Sequence, residues 1–236
     1  MDVAILRVRS TKNRIIMHYG REQTDMITSS NNAKVKQVVQ WQTKAKERRK
    51  DHVFLAEGVR MCEEAPVKSV REVYLTEELE QKLRQNAQNG DTAFWDKLQQ
   101  TGYETVSPEV FAKMADTQTP QGILTVLEQP SYDLTQLLEQ PEPLFLILEN
   151  LQDPGNLGTM IRTGEGAGIT GVIMNSQTVD IFNPKTIRAT MGSIFRVPFV
   201  YVPELSPVLT QMHEKGIHTY AAHLKGKEYY DSFSFR

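Results

Sequence analysis

The apolar positions of this chain fall into short runs separated by amphipathic stretches. Short apolar or alternating runs bounded by Gly, Pro, Asn or Asp predict strands at 53–56, 70–75, 102–106, 122–127, 144–149, 171–174, 197–202 and 217–222. Ser29, Ser30 and Asn31 are capping residue types ahead of a helix from about Ala33, with Val35, Val38 and Val39 on one side. A helical segment covers 59–65. Thr76 caps the next helix, with Glu77, Glu78 and Glu80 favourably placed for its dipole. Pro108 opens a helix over 108–115. Helices at 157–167, 184–191 and 205–215 then alternate with the last four strands. Helical connections imply an open, parallel sheet. Between these regions, Pro130, Pro141 and Pro143 bracket a polar stretch, 131–139, that can form a short helix and suits a connection between two domains.

The 236 residues leave room for two small domains or one large one. With 39 % hydrophobic and 24 % charged residues, the composition is that of an ordinary soluble protein. The net charge is −2, so any nucleic-acid footprint must be local. One such region exists. Lys34, Lys36, Lys44, Lys46, Arg48, Arg49 and Lys50 stand against a single acid, Glu47. A charge run of this kind is either a solvated helix face or a phosphate contact, and its asymmetry within an acidic chain favours RNA. The single cysteine, Cys62, excludes an internal disulfide and fits a reducing, cytoplasmic compartment. No apolar run approaches the roughly 18 residues of a membrane span. Residues 1–26 read differently from the rest. Over 1–20, Arg7, Arg9, Lys12 and Arg14 oppose only Asp2, as in a transit peptide, but few serines and the following Glu22 and Asp25 favour a disordered extension ahead of Met26.

The most informative stretch is 150–168, N-L-Q-D-P-G-N-L-G-T-M-I-R-T-G-E-G-A-G, directly after the apolar run 144–148. Asp153, Pro154, Gly155 and Asn156 read as a tight turn, and 157–167 as a helix that Asn156 or Asp153 can cap. This is a strand–loop–helix junction, where open α/β sheets place ligands. Arg162 lies about two turns into that helix, six residues after Asn156, so the loop must fold back for the two to share a site.

The pattern N-x-x-D-P-x-N-x-G-x-x-x-R-T, carried by Asn150, Asp153, Pro154, Asn156, Gly158, Arg162 and Thr163, resembles the first motif of the SpoU branch of the SPOUT RNA methyltransferases. The resemblance implies transfer of a methyl group from S-adenosylmethionine to a ribose 2′-hydroxyl, in rRNA more readily than in tRNA, with Arg162 and Asn156 in the active site. Three more fragments resemble the substrate-binding domain of SpoU-type rRNA methyltransferases: I-T-S-x-x-N-x-K-V-K over 27–36, F-L-A-E-G at 54–58 and T-P-Q-G at 119–122. The implied architecture is α/β throughout. An L30e-like α/β domain at 27–128 binds RNA, a linker follows at 129–143, and a SPOUT domain occupies 144–236. The segment 183–198, N-P-K-T-I-R-A-T-M-G-S-I-F-R-V-P, resembles a further family element and would place Met191, Gly192 and Ser193 near the first motif. Lys185, Arg188 and Arg196 are candidate phosphate contacts there.

SpoU-type enzymes continue into a G-N-E-x-x-G-like loop, an I-P-M-like strand and an S-L-N-x-S-like turn, which build the α/β trefoil knot that holds S-adenosylmethionine. None is found here. The SPOUT domain is therefore expected to be incomplete, to leave apolar sheet surface uncovered, and to lack the donor-binding residues. The homodimer formed through the knot in this family is put in doubt, and a non-catalytic RNA-binding protein stands as the alternative to an enzyme.

Other readings carry less weight. Gly164-x-Gly166-x-Gly168 is not G-x-G-x-x-G and ends a helix, so glycine termination explains it better than dinucleotide binding. His213, His218 and His223 are five apart, the wrong spacing for a helical metal pair, and no metal site is expected. Glu63 and Glu64 beside Cys62 disfavour a thiolate.

Arg162 and Asn156 suit the implied chemistry. As the hydroxyl attacks, negative charge grows on its oxygen and must be stabilised. A guanidinium is a five-donor cation that does not give up its proton, so Arg162 suits stabilisation and clamping better than proton abstraction. Asn156 suits orientation of the ribose or of the arginine. A helix cap would account for Asn156 equally, and an interdomain ion pair for Arg162.

Overall fold

The computed structural model describes residues 25–222 together with Tyr229 and Ser232. The elements run α1 (Ala33–Thr43), α2 (Ala45–Asp51), β1 (Val53–Glu57), α3 (Val59–Glu64), β2 (Val70–Thr76), α4 (Glu77–Gln88), α5 (Ala93–Thr101), β3 (Glu104–Val106), α6 (Pro108–Met114) and β4 (Ile123–Glu128). They continue with α7 (Leu134–Leu138), β5 (Phe145–Leu148), α8 (Pro154–Gly166), β6 (Gly171–Asn175), α9 (Pro184–Thr190), β7 (Phe199–Val202) and α10 (Ser206–Glu214). The assignment of 1–26 to an extension concerns residues outside the described ones, apart from Asp25 and Met26.

Three helices begin with the same device, a capping side chain followed by proline. Ser107, Asp153 and Asn183 each accept a backbone N–H of the helix they precede, and Pro108, Pro154 and Pro184 occupy the first helical position. Thr76 caps α4 as its sequence predicts, while Asn32, not Ser29, Ser30 or Asn31, caps α1. The basic helix is two helices, broken at Lys44. The helix α5 had no counterpart in the sequence reading.

Two sheets form. The first has the order β1-β4-β2-β3 and is mixed: β4 runs antiparallel to β1 and β2, and β3 runs parallel to β2. The second has the order β5-β6-β7 and is wholly parallel, as its helical connections require. The strand expected at 217–222 does not form. Gly216, at φ +75°, donates its N–H to His213, and Ile217 donates to Met212, so the residues after α10 close a glycine-terminated helix end instead. Ile217 packs beside Val208 and Met212 rather than pairing as a strand.

The faces of the first sheet differ in what they bury. Val53 and Leu55 of β1 point toward α1 and α6. Alternate residues Phe54 and Ala56, with Leu127 of β4, point the other way and join Leu157, Ile161, Ile187, Ile194 and Phe182 of the second half in one core. The rings of Phe54 and Phe182 lie 5.0 Å apart across this seam. The segment between the sheets is more than a linker, because Leu137 and Leu138 of α7 are buried against Ile173 and Val200. With α10 they cover one face of the second sheet, while α8 and α9 cover the other, and Phe145, Leu146 and Ile147 of the edge strand β5 are only half-buried.

Two of the family-like fragments meet at the edge of the first sheet. The side-chain carbonyl of Gln121 accepts the Val59 N–H at 2.8 Å, satisfying the start of α3. Gly58 has φ +94°, and a Cβ there would sit 2.9 Å from that oxygen. Glu57 accepts the Asp116 N–H at 2.8 Å and the Thr117 hydroxyl. No helix of the described residues is long and apolar enough to cross a membrane.

Candidate functional site

The site is built where β5 and β6 end. Asn150 adopts a left-handed conformation, φ +52°, uncommon for a non-glycine residue. Asn175, buried at the end of β6, holds it there. Its side-chain carbonyl accepts the Asn150 N–H at 3.0 Å, and its amide donates to the Asn150 side chain at 2.8 Å. The Thr178 hydroxyl also donates to Asn175, at 2.9 Å. Gln152 donates to the carbonyls of Asn150 and Gln177, at 3.1 and 2.8 Å. Sequence reasoning missed Asn175 and Thr178, since neither belongs to the motif they support.

The chain then turns directly into α8. The residues expected to form a tight turn, Asp153 to Asn156, are instead the cap and first turn of that helix. Asp153 accepts the Asn156 N–H at 2.7 Å, and this bond, helped by Lys185 at 3.5 Å, holds its carboxyl below the usual aspartate value. Gly158 fixes how closely α8 and α9 approach. A Cβ there would lie 2.5 Å from the Ala189 Cβ and 2.6 Å from the Thr186 carbonyl oxygen. The end of α8 is glycine-terminated, with Ile169 N–H donated to the Gly164 carbonyl at 3.1 Å, as the reading of the three glycines holds.

Asn156 is thus helical, and Asp153 is the cap; the Asn156 side chain is exposed and has no partner among the described residues. Arg162 is also exposed and forms no ion pair or hydrogen bond among them. Six residues of helix separate the two by about 9 Å along the axis and roughly 120° around it. They flank one exposed face rather than touch, a spacing that a nucleotide-sized ligand can bridge.

The candidate RNA cations divide sharply. Lys36, Lys44, Lys46 and Arg49 are exposed and unpaired among the described residues, and Lys50 is only 4.0 Å from Glu47. Lys34 is taken by Glu104 at 2.6 Å, Lys185 by Asp153 and Arg188 by Asp116. Arg196 pairs with Glu64 at 2.8 Å and with Glu165. Arg48 is a correction. It is 3 % exposed, donates to the Trp41 carbonyl at 2.7 Å and pairs with Asp180 at 2.6 Å. It cannot reach RNA, because the turn between α1 and α2 folds over it. The 191–193 turn does approach the motif helix, since Arg196 just beyond it binds Glu165. Cys62 keeps its proton for a different reason from the one expected: complete burial pushes its thiol up to about 12, and the acid that adds to this is Glu57, not Glu63 or Glu64.

Two family models match this chain. Residues 143–236 match the SpoU rRNA Methylase family, and residues 32–125 match an MRM3-like substrate binding domain. The chain is 33 % identical over 202 residues to the 23S rRNA (guanosine(2553)-2'-O)-methyltransferase RlmP of Bacillus subtilis, covering 84 % of this chain and 73 % of that protein. It is 41 % identical over 110 residues to human rRNA methyltransferase 3, mitochondrial, covering 44 % of this chain and 26 % of that one. Among solved structures, an rRNA methyltransferase from Sinorhizobium meliloti superposes with a TM-score of 0.73 at 26 % identity, over 90 % of this chain and 78 % of that one. The AdoMet-bound form gives 0.66 at 27 % identity, over 80 % and 69 %.

Proposed function

The chain belongs to the SpoU rRNA methylase family, and from that premise we propose that it methylates a ribose 2′-hydroxyl of rRNA with S-adenosylmethionine as donor. The observation that carries this reading is the state of Arg162. The motif leaves one guanidinium on α8 exposed and unpaired among the described residues, while the candidate cations of α9 and the turn after it are engaged with carboxylates. A free guanidinium beside the reacting hydroxyl stabilises the charge that develops on oxygen and orients the ribose. Asn156, one and a half turns earlier, holds the nucleotide through its free amide. Bound S-adenosylmethionine supplies the methyl group on a sulfonium. Asn150, Gln152 and Asn175 at the ends of β5 and β6 are engaged with one another, and no residue is assigned to the donor.

RNA is held by the exposed cations of α1 and α2, namely Lys36, Lys44, Lys46, Arg49 and Lys50, with Lys34, Lys185 and Arg188 already neutralised. These contacts add salt-dependent affinity without choosing a sequence. The test is incubation of the full chain with ribosomal RNA and methyl-labelled S-adenosylmethionine, followed by nuclease digestion and nucleoside analysis. Label in a 2′-O-methyl nucleoside is the expected result. Label in a base would make the chain a base methyltransferase, and salt-dependent RNA retention with no transfer would leave an RNA-binding protein in place of the enzyme.

A further inference from the structure

We propose that Arg48 and Asp180 form a positioning strut that sets the RNA-holding helices in register with Arg162. The proposal rests on the reading just given. Its starting point is the number of elements that converge on one buried guanidinium. One nitrogen of Arg48 donates to the carbonyls of Trp41 and Gln42, at 2.7 and 3.3 Å. These are among the last carbonyls of α1, which have no helical partner of their own. The other terminal nitrogen reaches Asp180, 132 residues away, at 2.6 Å. The Arg48 backbone carbonyl accepts from Gln129, whose amide also binds the Val53 carbonyl at 2.8 Å. Arg48 therefore closes the α1–α2 corner, from which Lys44, Lys46, Arg49 and Lys50 project.

Asp180 carries the connection onward. Its second carboxylate oxygen accepts the Phe182 N–H at 3.1 Å, and its carbonyl accepts the Asn183 N–H at 2.9 Å. Asn183 caps α9, and α9 lies against Gly158 of α8 with no room for a methyl group between them. The same α8 presents Asn156 and Arg162. A continuous path of buried or short contacts thus runs from the basic corner to the motif helix. A guanidinium suits the corner because its planar fork serves two carbonyls and a carboxylate at once, which a lysine does not.

The strut predicts a loss of alignment rather than of RNA affinity. Asp180→Asn leaves every exposed cation in place, so RNA affinity stays within about threefold of the parent chain. Single-turnover methyl transfer at saturating RNA falls about tenfold or more, because misplacement of reacting groups by an ångström is costly. Asp180→Glu, which restores the carboxylate, recovers a large part of that loss. A second readout needs neither donor nor RNA. Spin labels on Gln40→Cys and Ala167→Cys, both exposed positions, report the distance from α1 to the end of α8, while buried Cys62 escapes labelling. The parent gives one narrow distance, and Asp180→Asn broadens it. If Asp180→Asn does not fold, Arg48→Lys takes its place, with the same broadening expected. A narrow distance together with a rate within about twofold of the parent overturns the strut, as does a loss confined to KM. If the parent chain transfers no methyl group, the functional reading fails, while the distance measurement still decides the strut.

Discussion

Charge is handled in opposite ways at the seam between the two halves and on the outer face of α8. At the seam, Arg48, Arg188 and Arg196 each meet a carboxylate from the other half, and Arg48 is almost wholly buried. On α8, Arg162 meets none among the described residues. In sequence these arginines look alike, each a cation on or beside a helix. A buried or bridged guanidinium has its field neutralised before any ligand arrives, and removing its partner strands a charge. A free one keeps its field for an incoming anion or a developing oxyanion. Partnering, rather than charge count, separates a cation that holds the molecule together from one that acts on a ligand.

The largest effect expected from this contrast is on rate alone. Arg162→Ala should lower single-turnover methyl transfer by about 10²–10³, or roughly 2.7–4 kcal/mol, the scale of a lost oxyanion donor. With no partner to strand among the described residues, it should leave unfolding stability within about 0.5 kcal/mol of the parent. Rapid-quench kinetics and urea unfolding on the same preparation check both halves of the statement. A rate loss under about tenfold would remove Arg162 from the chemical step, and a large stability loss would place it with the seam arginines.

A smaller effect sharpens the comparison by moving the two sets of arginines relative to each other without touching a charge. Gly158→Ala forces a methyl group onto Ala189 and the Thr186 carbonyl, at 2.5 and 2.6 Å. Backbone cannot yield there as a side-chain tip would, so α8 and α9 must separate, at a cost of about 1–3 kcal/mol. Calorimetry should show a lower Tm and kinetics a partial loss of rate. An unchanged Tm would mean that the helix pair is looser than its geometry implies.

The limits of sequence reasoning follow the same division between local and distant partners. The starts of α6 and α9 are readable because cap and proline are adjacent. At α8 the sequence offers Asn156 or Asp153 as the cap, and Asp153 is the one, since the proline after it marks the first helical residue and the turn assigned to 153–156 is helix. The order of the second sheet is legible from its helical crossovers, but its extra strand at 217–222 is not real, since Gly216 and Ile217 are spent on closing α10. Arg48 and Arg49 are neighbours in a basic run, and nothing local says that one is buried. The answer lies at Asp180, 132 residues on. Asn175 was invisible for a similar reason, as its partner Asn150 is 25 residues away and the motif names only one of the two.

Acid gives the smallest and most selective test of the comparison. Glu64 and Glu165 grip Arg196 from the two halves, and the Arg196 guanidinium is the first cause that holds both carboxyls below their ordinary value of 4.5. A carboxyl depressed on folding contributes stability that is complete above its unfolded value and is lost as pH falls through its folded one. The Arg196 side chain is 47 % exposed, so screening keeps this contribution below about 1 kcal/mol at neutral pH. Urea midpoints measured from neutral pH down through this range should therefore fall for the parent chain and fall less for Glu64→Gln and Glu165→Gln, which begin slightly lower. Arg162→Ala should trace the parent curve throughout, since no carboxylate among the described residues depends on it. If the two glutamine variants and the parent share one acid limb, the bridge at the seam adds nothing to stability. Arg196 would then stand beside Arg162 as a cation available to RNA.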